Sequence, residues 1–196
     1  MRATPQLTVQ GRNMTAMKQD GLFSLLGSVL VALLLLGARF LVDQSSGLPP
    51  VAQGPQKNGQ VIAVLDGDTI DVIQNGKSLR LRFAGIDTPE KSQPYGPEAK
   101  AALAQRVDGK VVRFEVVETD RYGRSIANIY DKQGHVNLWL VEDGFAWHYK
   151  AYSKDQNLAA AERQARGSGK GLWAGNRPVE PWNWRKLSSV QRARYR

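Results

Sequence analysis

The 196-residue chain carries 27 Lys and Arg against 18 Asp and Glu, a formal net charge of +9, with 42% hydrophobic residues and no cysteine. That length supports one domain with a sizeable core plus an appendage and excludes two large domains. The missing cysteine excludes thiol catalysis, disulfides and cysteine-based zinc sites, while the basic excess favours a polyanionic partner, nucleic acid or an anionic membrane surface.

Residues 21–38 form an uncharged, mostly apolar run that Arg39 interrupts and Phe40-Leu41-Val42 resumes, with Arg2, Arg12 and Lys18 ahead of it. The run is near the roughly 17–25 residues of a bilayer span and longer than the roughly 7–15 of a secretory leader's apolar region. It predicts an N-terminal hydrophobic helix over 21–42, open to three readings: an uncleaved signal anchor, a cleaved signal peptide or a buried core helix. As an anchor, its basic flank keeps residues 1–20 cytoplasmic and places the rest outside, membrane-tethered; cleavage would make the protein secreted. Residues 43–59, rich in Pro, Gly, Ser and Gln, read as a flexible tether.

A folded domain is expected over 60–175. Val61 to Leu65 and Thr69 to Ile73 read as strands, and Asn75-Gly76 is a two-residue hairpin signal. In the return strand Leu79, Leu81 and Phe83 alternate with Arg80 and Arg82, so the arginines share the face opposite the apolar set. Pro97 opens a helix carrying Ala99, Ala102, Leu103 and Arg106. Lys110 to Val117 and Ser125 to Tyr130 return to strand character, and Leu138 with Val141 predicts a short helix closed by Gly144. Ser153 and Gln156 read as a capping box for a helix through Leu158, Ala161 and Ala165 to Gly167. Strands enclosing a helix, with further helices appended, give an α+β class: a five-stranded OB-fold β-barrel with about three helices. Residues 176–196 are a Trp- and Arg-rich extension in which Trp182 and Trp184 are expected to dock on the domain and Arg192, Arg194 and Arg196 form a basic end.

The chemistry lies in Asp66-Gly67-Asp68-Thr69, Asp87-Thr88-Pro89-Glu90 and Asp120-Arg121-Tyr122-Gly123-Arg124, with Arg82 between the first two. Each acidic tetrapeptide alone is a common turn or helix start. Together with Arg82 and Arg124 they make up the parts of a phosphoryl-transfer site. Oxygen ligands suit a hard cation, Ca²⁺ or Mg²⁺; guanidinium forks match phosphate; a carboxylate can take a proton from water. His135 and His148 have no partner histidine at ligand spacing, which points to surface or packing roles.

These motifs, with the Leu81-Arg82 strand and Tyr95-Gly96-Pro97-Glu98-Ala99, resemble the staphylococcal nuclease (thermonuclease) family in order and spacing over residues 60–173. The resemblance implies an OB-fold barrel with three helices and a Ca²⁺-dependent nuclease that cleaves DNA and RNA with little sequence preference, leaving 3′-phosphates. It implies Asp68 and Asp87 as carboxylate ligands of Ca²⁺, Thr88 as a carbonyl ligand and Asp66 as an outer-shell acid. Glu90 would orient or deprotonate water, while Arg82 and Arg124 would grip the scissile phosphate. Tyr122 matches a position near the nucleotide, and Tyr149 or Tyr152 could stack on a base. The Lys91 to Pro94 stretch is shorter than the lysine-rich loop of the secreted staphylococcal enzyme. The family resemblance favours a monomer, and no obligate protein partner is evident in the sequence. Two other readings stand beside it: a catalytically weak nucleic-acid-binding barrel, and a membrane-tethered structural protein that binds anionic surfaces.

Overall fold

The structure is a computed structural model that describes residues 56–175 and 177–195. The expected tail 1–20, hydrophobic helix 21–42 and most of the tether lie outside the described residues. Among the described residues no helix is long and apolar enough to cross a membrane.

Strands β1 (Lys57–Val64), β2 (Thr69–Gln74) and β3 (Lys77–Phe83) form a meander. Its second turn is the predicted hairpin: Asn75 and Gly76 both take positive φ, 50° and 75°, the pair of left-handed residues a type I′ turn requires. β1 starts at Lys57 because Lys57 to Gln60 pair with β5 (Val111–Thr119), so Lys57, Asn58 and Gly59 belong to the barrel rather than to the expected tether. β6 (Ser125–Asp131) runs antiparallel to β5 and closes parallel onto β3, opposing Ser125 to Leu81, Ile126 to Arg82 and Ala127 to Phe83. That closure makes the expected five-stranded barrel and removes its open edges. A short β7 (Gly134–His135) adds to β6. Separately, β4 (Ile86–Asp87) pairs with β8 (Trp147–His148), which places Asp87 opposite Trp147.

Alternating residues fill the barrel: Ile70, Val72, Leu81, Phe83, Val112, Phe114, Ala127 and Ile129 are buried. Leu103 and Val107 of α1 (Gly96–Val107), Leu140 of α2 (Val136–Glu142) and Leu158 of α3 (Gln156–Gly167) join the same core. Asn137 pins α2 to the seam of the closed barrel. Its buried Oδ1 accepts the Ile129 N–H at 3.0 Å, and its Nδ2 donates to the carbonyls of Ala84 and Ala127 at 3.0 and 3.2 Å.

The expected capping box at Ser153 is replaced by a cap two residues later. Asp155 is the N-cap of α3 and accepts the Asn157 N–H at 2.7 Å, while Ser153 Oγ accepts the Asp155 N–H at 3.2 Å. Asp at the N-cap satisfies the same orphan donors as Ser, and the intermediate Lys154 does not take helical geometry. A capping box does occur in the C-terminal extension, where Ser188 and Gln191 cap the start of α5 (Ser189–Arg192). That extension docks as expected. α4 (Pro181–Trp184) buries Trp184 to 1% exposure, and Trp182 lies flat on Tyr149 with ring centroids 4.9 Å apart.

Candidate active site

The first acidic turn is an Asx turn in which Asp66 Oδ1 accepts the Asp68 N–H at 3.0 Å. It is also locked to the second acidic motif. Asp68 Oδ2 accepts the Thr88 N–H at 2.7 Å and the Thr88 hydroxyl at 2.8 Å. A side chain at Gly67 would press into Thr88, so glycine is what lets the two motifs meet.

Arg82 reaches them from β3, on the strand face opposite Leu81 and Phe83, as the alternation predicts. It pairs with Asp68 Oδ1 at 3.1 Å and Asp87 Oδ1 at 2.8 Å. Its Nη1 also donates to the carbonyls of Phe83 and Ile86, at 2.9 and 3.0 Å. Arg82 therefore braces the turn that carries Asp87 as well as balancing its charge.

Glu90 sits on the segment leading to α1. Its N–H donates to Gln93 Oε1 at 3.1 Å, and its carbonyl accepts the Gln93 N–H at 2.8 Å. A side chain at Gly96 would collide with the Glu90 carbonyl, so the start of α1 can lie against this segment only as glycine.

A residue that sequence reasoning did not assign completes the cluster. Arg185, directly after α4, places Nη1 2.6 Å from Glu90 Oε1 and Nη2 2.7 Å from Asp87 Oδ2. The signal available in the sequence was the Pro181-Trp182-Asn183-Trp184 aromatic segment just before it, which marks a docked element but not where that element lands.

The charge balance of the centre is negative. Asp66, Asp68, Asp87 and Glu90 face two guanidiniums, Arg82 and Arg185. Burial, helped by the neighbouring Asp68 charge, raises Asp66 to a pKa of about 6 against opposing hydrogen bonds from Asp68 N–H and Thr69. Burial likewise raises Asp87 despite its bond from Arg185, and Asp68 again adds to the rise. For Arg185, burial works against the charged form, but its bonds to Asp87 and Glu90 outweigh burial and raise the pKa.

Excess negative charge and an all-oxygen donor set fit a hard divalent cation. Asp68, Asp87 and the Thr88 carbonyl are the residues that would hold it. Among the described residues no group of three or more His, Cys, Asp or Glu side chains is placed to hold a metal.

Arg124, just before β6, is turned to its own loop: its Nη2 lies 2.7 Å from Asp120 Oδ2, whose Oδ1 accepts the N–H groups of Tyr122 and Arg124 at 2.9 Å each. Tyr122 is 70% exposed, with Arg121 and Arg124 near its ring. Tyr152 is 77% exposed, its ring 4.7 Å from Tyr149. Tyr149 and Trp182 line an open hollow of about 590 Å³ together with Lys150, Arg185 and Lys186. The histidines take packing positions: His135 stacks on Tyr130 and His148 is buried in β8, burial holding both below their usual pKa.

Residues 80–175 match the family model described as staphylococcal nuclease homologue. An endonuclease of Haemophilus influenzae is 41% identical over 135 residues, covering 68% of this chain and 76% of that protein. An endonuclease of Escherichia coli O157:H7 is 41% identical over 129 residues, covering 65% and 84%. A probable staphylococcal-like nuclease of Oryza sativa subsp. japonica is 46% identical over 110 residues, which span 56% of this chain and 33% of the plant protein.

Proposed function

The chain belongs to the staphylococcal nuclease family, and on that premise we propose that it is a Ca²⁺-dependent nuclease that hydrolyses DNA and RNA outside the cytoplasm, leaving 3′-phosphates. The observation that carries this reading is the joining of Asp68, Arg82, Asp87, Thr88 and Glu90 into one cluster from the turn before β2, from β3 and β4, and from the segment that follows β4.

In this reading Asp68, Asp87 and the Thr88 carbonyl hold Ca²⁺, with Asp66 steadying the turn from behind. Bound there, Ca²⁺ supplies positive charge against the negative charge that builds on the phosphoryl oxygens. Glu90 orients the attacking water and accepts its proton as the new oxygen–phosphorus bond forms. The bond from phosphorus to the 5′ oxygen breaks, its electron pair leaving with that oxygen, which takes a proton from solvent to become the 5′ hydroxyl, and the phosphate stays on the 3′ side. Arg82 and Arg124 each offer donors to the phosphoryl oxygens, Arg124 by exchanging Asp120 for phosphate. Exposed Tyr122 and Tyr152 offer faces on which unpaired bases can stack, a contact that tolerates any sequence. The apolar run at 21–38 behind basic residues supports export, tethered or cleaved.

The test is cleavage of linear DNA and of RNA by the purified full chain, with Ca²⁺ and then with chelator, followed by end-group analysis. The reading predicts cleavage of both polymers that chelator abolishes, with phosphate on the 3′ ends. Absence of cleavage by folded, Ca²⁺-saturated protein would overturn it. Recovery of the chain from the cytoplasmic fraction of its native cell would overturn the location.

A further inference from the structure

The C-terminal segment holds Glu90 twice. Through the side chain, Arg185 Nη1 meets Glu90 Oε1 at 2.6 Å while Nη2 meets Asp87 Oδ2 at 2.7 Å. Through the main chain, buried Gln93 brackets Glu90 with two hydrogen bonds and donates from Nε2 to the Val179 carbonyl at 2.6 Å. The segment is itself fixed, by buried Trp184 and Pro181 and by Trp182 on Tyr149. The stretch bearing Glu90, from Thr88 to Tyr95, contains neither helix nor strand. Without these contacts its geometry would rest on its ends alone.

We propose that Arg185 is a positioning residue of the nuclease centre: one planar guanidinium spans Glu90 and Asp87 and fixes the water-activating carboxylate relative to the cation-binding one. The inference rests on the roles given above to Glu90 and Asp87. A guanidinium suits this task because its donors lie in a rigid fork, so two carboxylates that accept from it are held at one separation and in one plane. The same span on a lysine would depend on a single mobile ammonium. Arg82 holds the other oxygen of Asp87, at 2.8 Å, so the Asp87 carboxylate is braced from both sides. The assignment also gives the C-terminal extension a part in catalysis although it lies beyond the span matched to the family, residues 80–175.

The test compares the full-length wild type with Arg185→Gln and Arg185→Lys. The Arg185 side chain is 44% exposed and the segment docks through Trp184, so both variants should keep the wild-type fold, which thermal melts check. Misplacing a reacting group by about 1 Å can cost about 10²-fold. The expected result is a kcat lower by about that factor in Arg185→Gln, KM within about twofold, and Arg185→Lys in between. Calorimetry should show Ca²⁺ binding no weaker than in wild type, because the change removes a positive charge beside the ligands. Hydrogen exchange should quicken at the Gln93 and Gly96 amides, which bond within the Glu90 segment, while amides in the barrel strands keep their protection.

An unchanged or higher kcat would overturn the proposal and mark Arg185 as a bystander or an occluding contact. A raised KM at constant kcat would overturn it in favour of a phosphate contact. If the wild type itself cleaves nothing, the nuclease reading fails; unchanged exchange at Gln93 and Gly96 would then separately overturn the clamp.

Discussion

Two arginines meet Asp87, and they come from regions built on different rules. Arg82 stands in a barrel strand, five residues before its partner, in a register set by Leu81 and Phe83 facing the core. Arg185 arrives across a separation of 98 residues, on a segment anchored by buried Trp184. The barrel side is local, with period-2 alternation, tight turns and short loops, whereas the other side exists only through docking. The barrel should therefore carry stability and the basic chemistry, and the C-terminal segment should carry alignment.

The sharpest way to break that comparison is to damage each region's anchor. Phe114→Ala removes a fully buried ring from the barrel core and should cost about 3–5 kcal/mol in urea unfolding, taking the whole site with it. Trp184→Ala should instead free the C-terminal segment: limited proteolysis should clip residues beyond 177 while the barrel's unfolding midpoint moves much less. Equal loss of barrel stability in both variants would erase the distinction.

Next come the two arginines that the proposed reaction assigns to the phosphate. Arg82→Gln should lower kcat by about 10²–10³-fold, and should also lower the melting temperature, because its bonds to the Phe83 and Ile86 carbonyls disappear. Arg124→Gln should show a comparable loss of rate with little change in melting, since its side chain is 37% exposed and, among the described residues, hydrogen-bonds within its own loop. A folded Arg124→Gln variant with wild-type kcat would remove that residue from the phosphate grip.

A smaller effect tests the barrel's electrostatics. Burial would raise the Asp131 carboxyl, but the bidentate Arg106 fork, at 2.8 Å on each oxygen, and nearby backbone N–H groups outweigh it and leave the pKa lowered. A carboxyl lowered on folding stabilises above its unfolded value near pH 4, and that contribution is lost as pH falls through the folded value. Asp131→Asn should thus be destabilised at neutral pH, and its deficit should shrink in urea titrations run progressively below pH 4. A pH-independent deficit would contradict the ion-pair account. The smallest change is Asp155→Ala, which should cost about 1 kcal/mol through the lost cap of α3 and leave turnover intact.

What the sequence made legible follows the same division. Asn75-Gly76, the Leu79–Phe83 alternation and the paired acidic turns are short-range patterns, and each signals its structure within a few residues. The cap of α3 differs from the expected box because Ser153 and Asp155 both offer a local cap, and only backbone geometry chooses between them. Arg185 and Gln93 were not legible as site residues. A guanidinium after two tryptophans carries no local sign of its partner, and the partner is determined by where Trp184 finds a cavity to fill. Gln93 reads as an ordinary loop residue until Val179 is brought to it.

The measurement that bears most directly on the account is single-turnover cleavage of a short single-stranded DNA by wild type and by Glu90→Gln, each shown by calorimetry to be Ca²⁺-loaded. Glu90 is half-exposed and its hydrogen bonds to Gln93 are made by the backbone, so the variant should fold and bind the cation as wild type does. The account predicts a rate lower by at least about 10²-fold in the variant, within the range typical for general acid–base catalysis. A Ca²⁺-loaded Glu90→Gln that cleaves within about twofold of wild type would contradict the assignment of water activation to Glu90 and, with it, the clustered centre as the seat of the reaction.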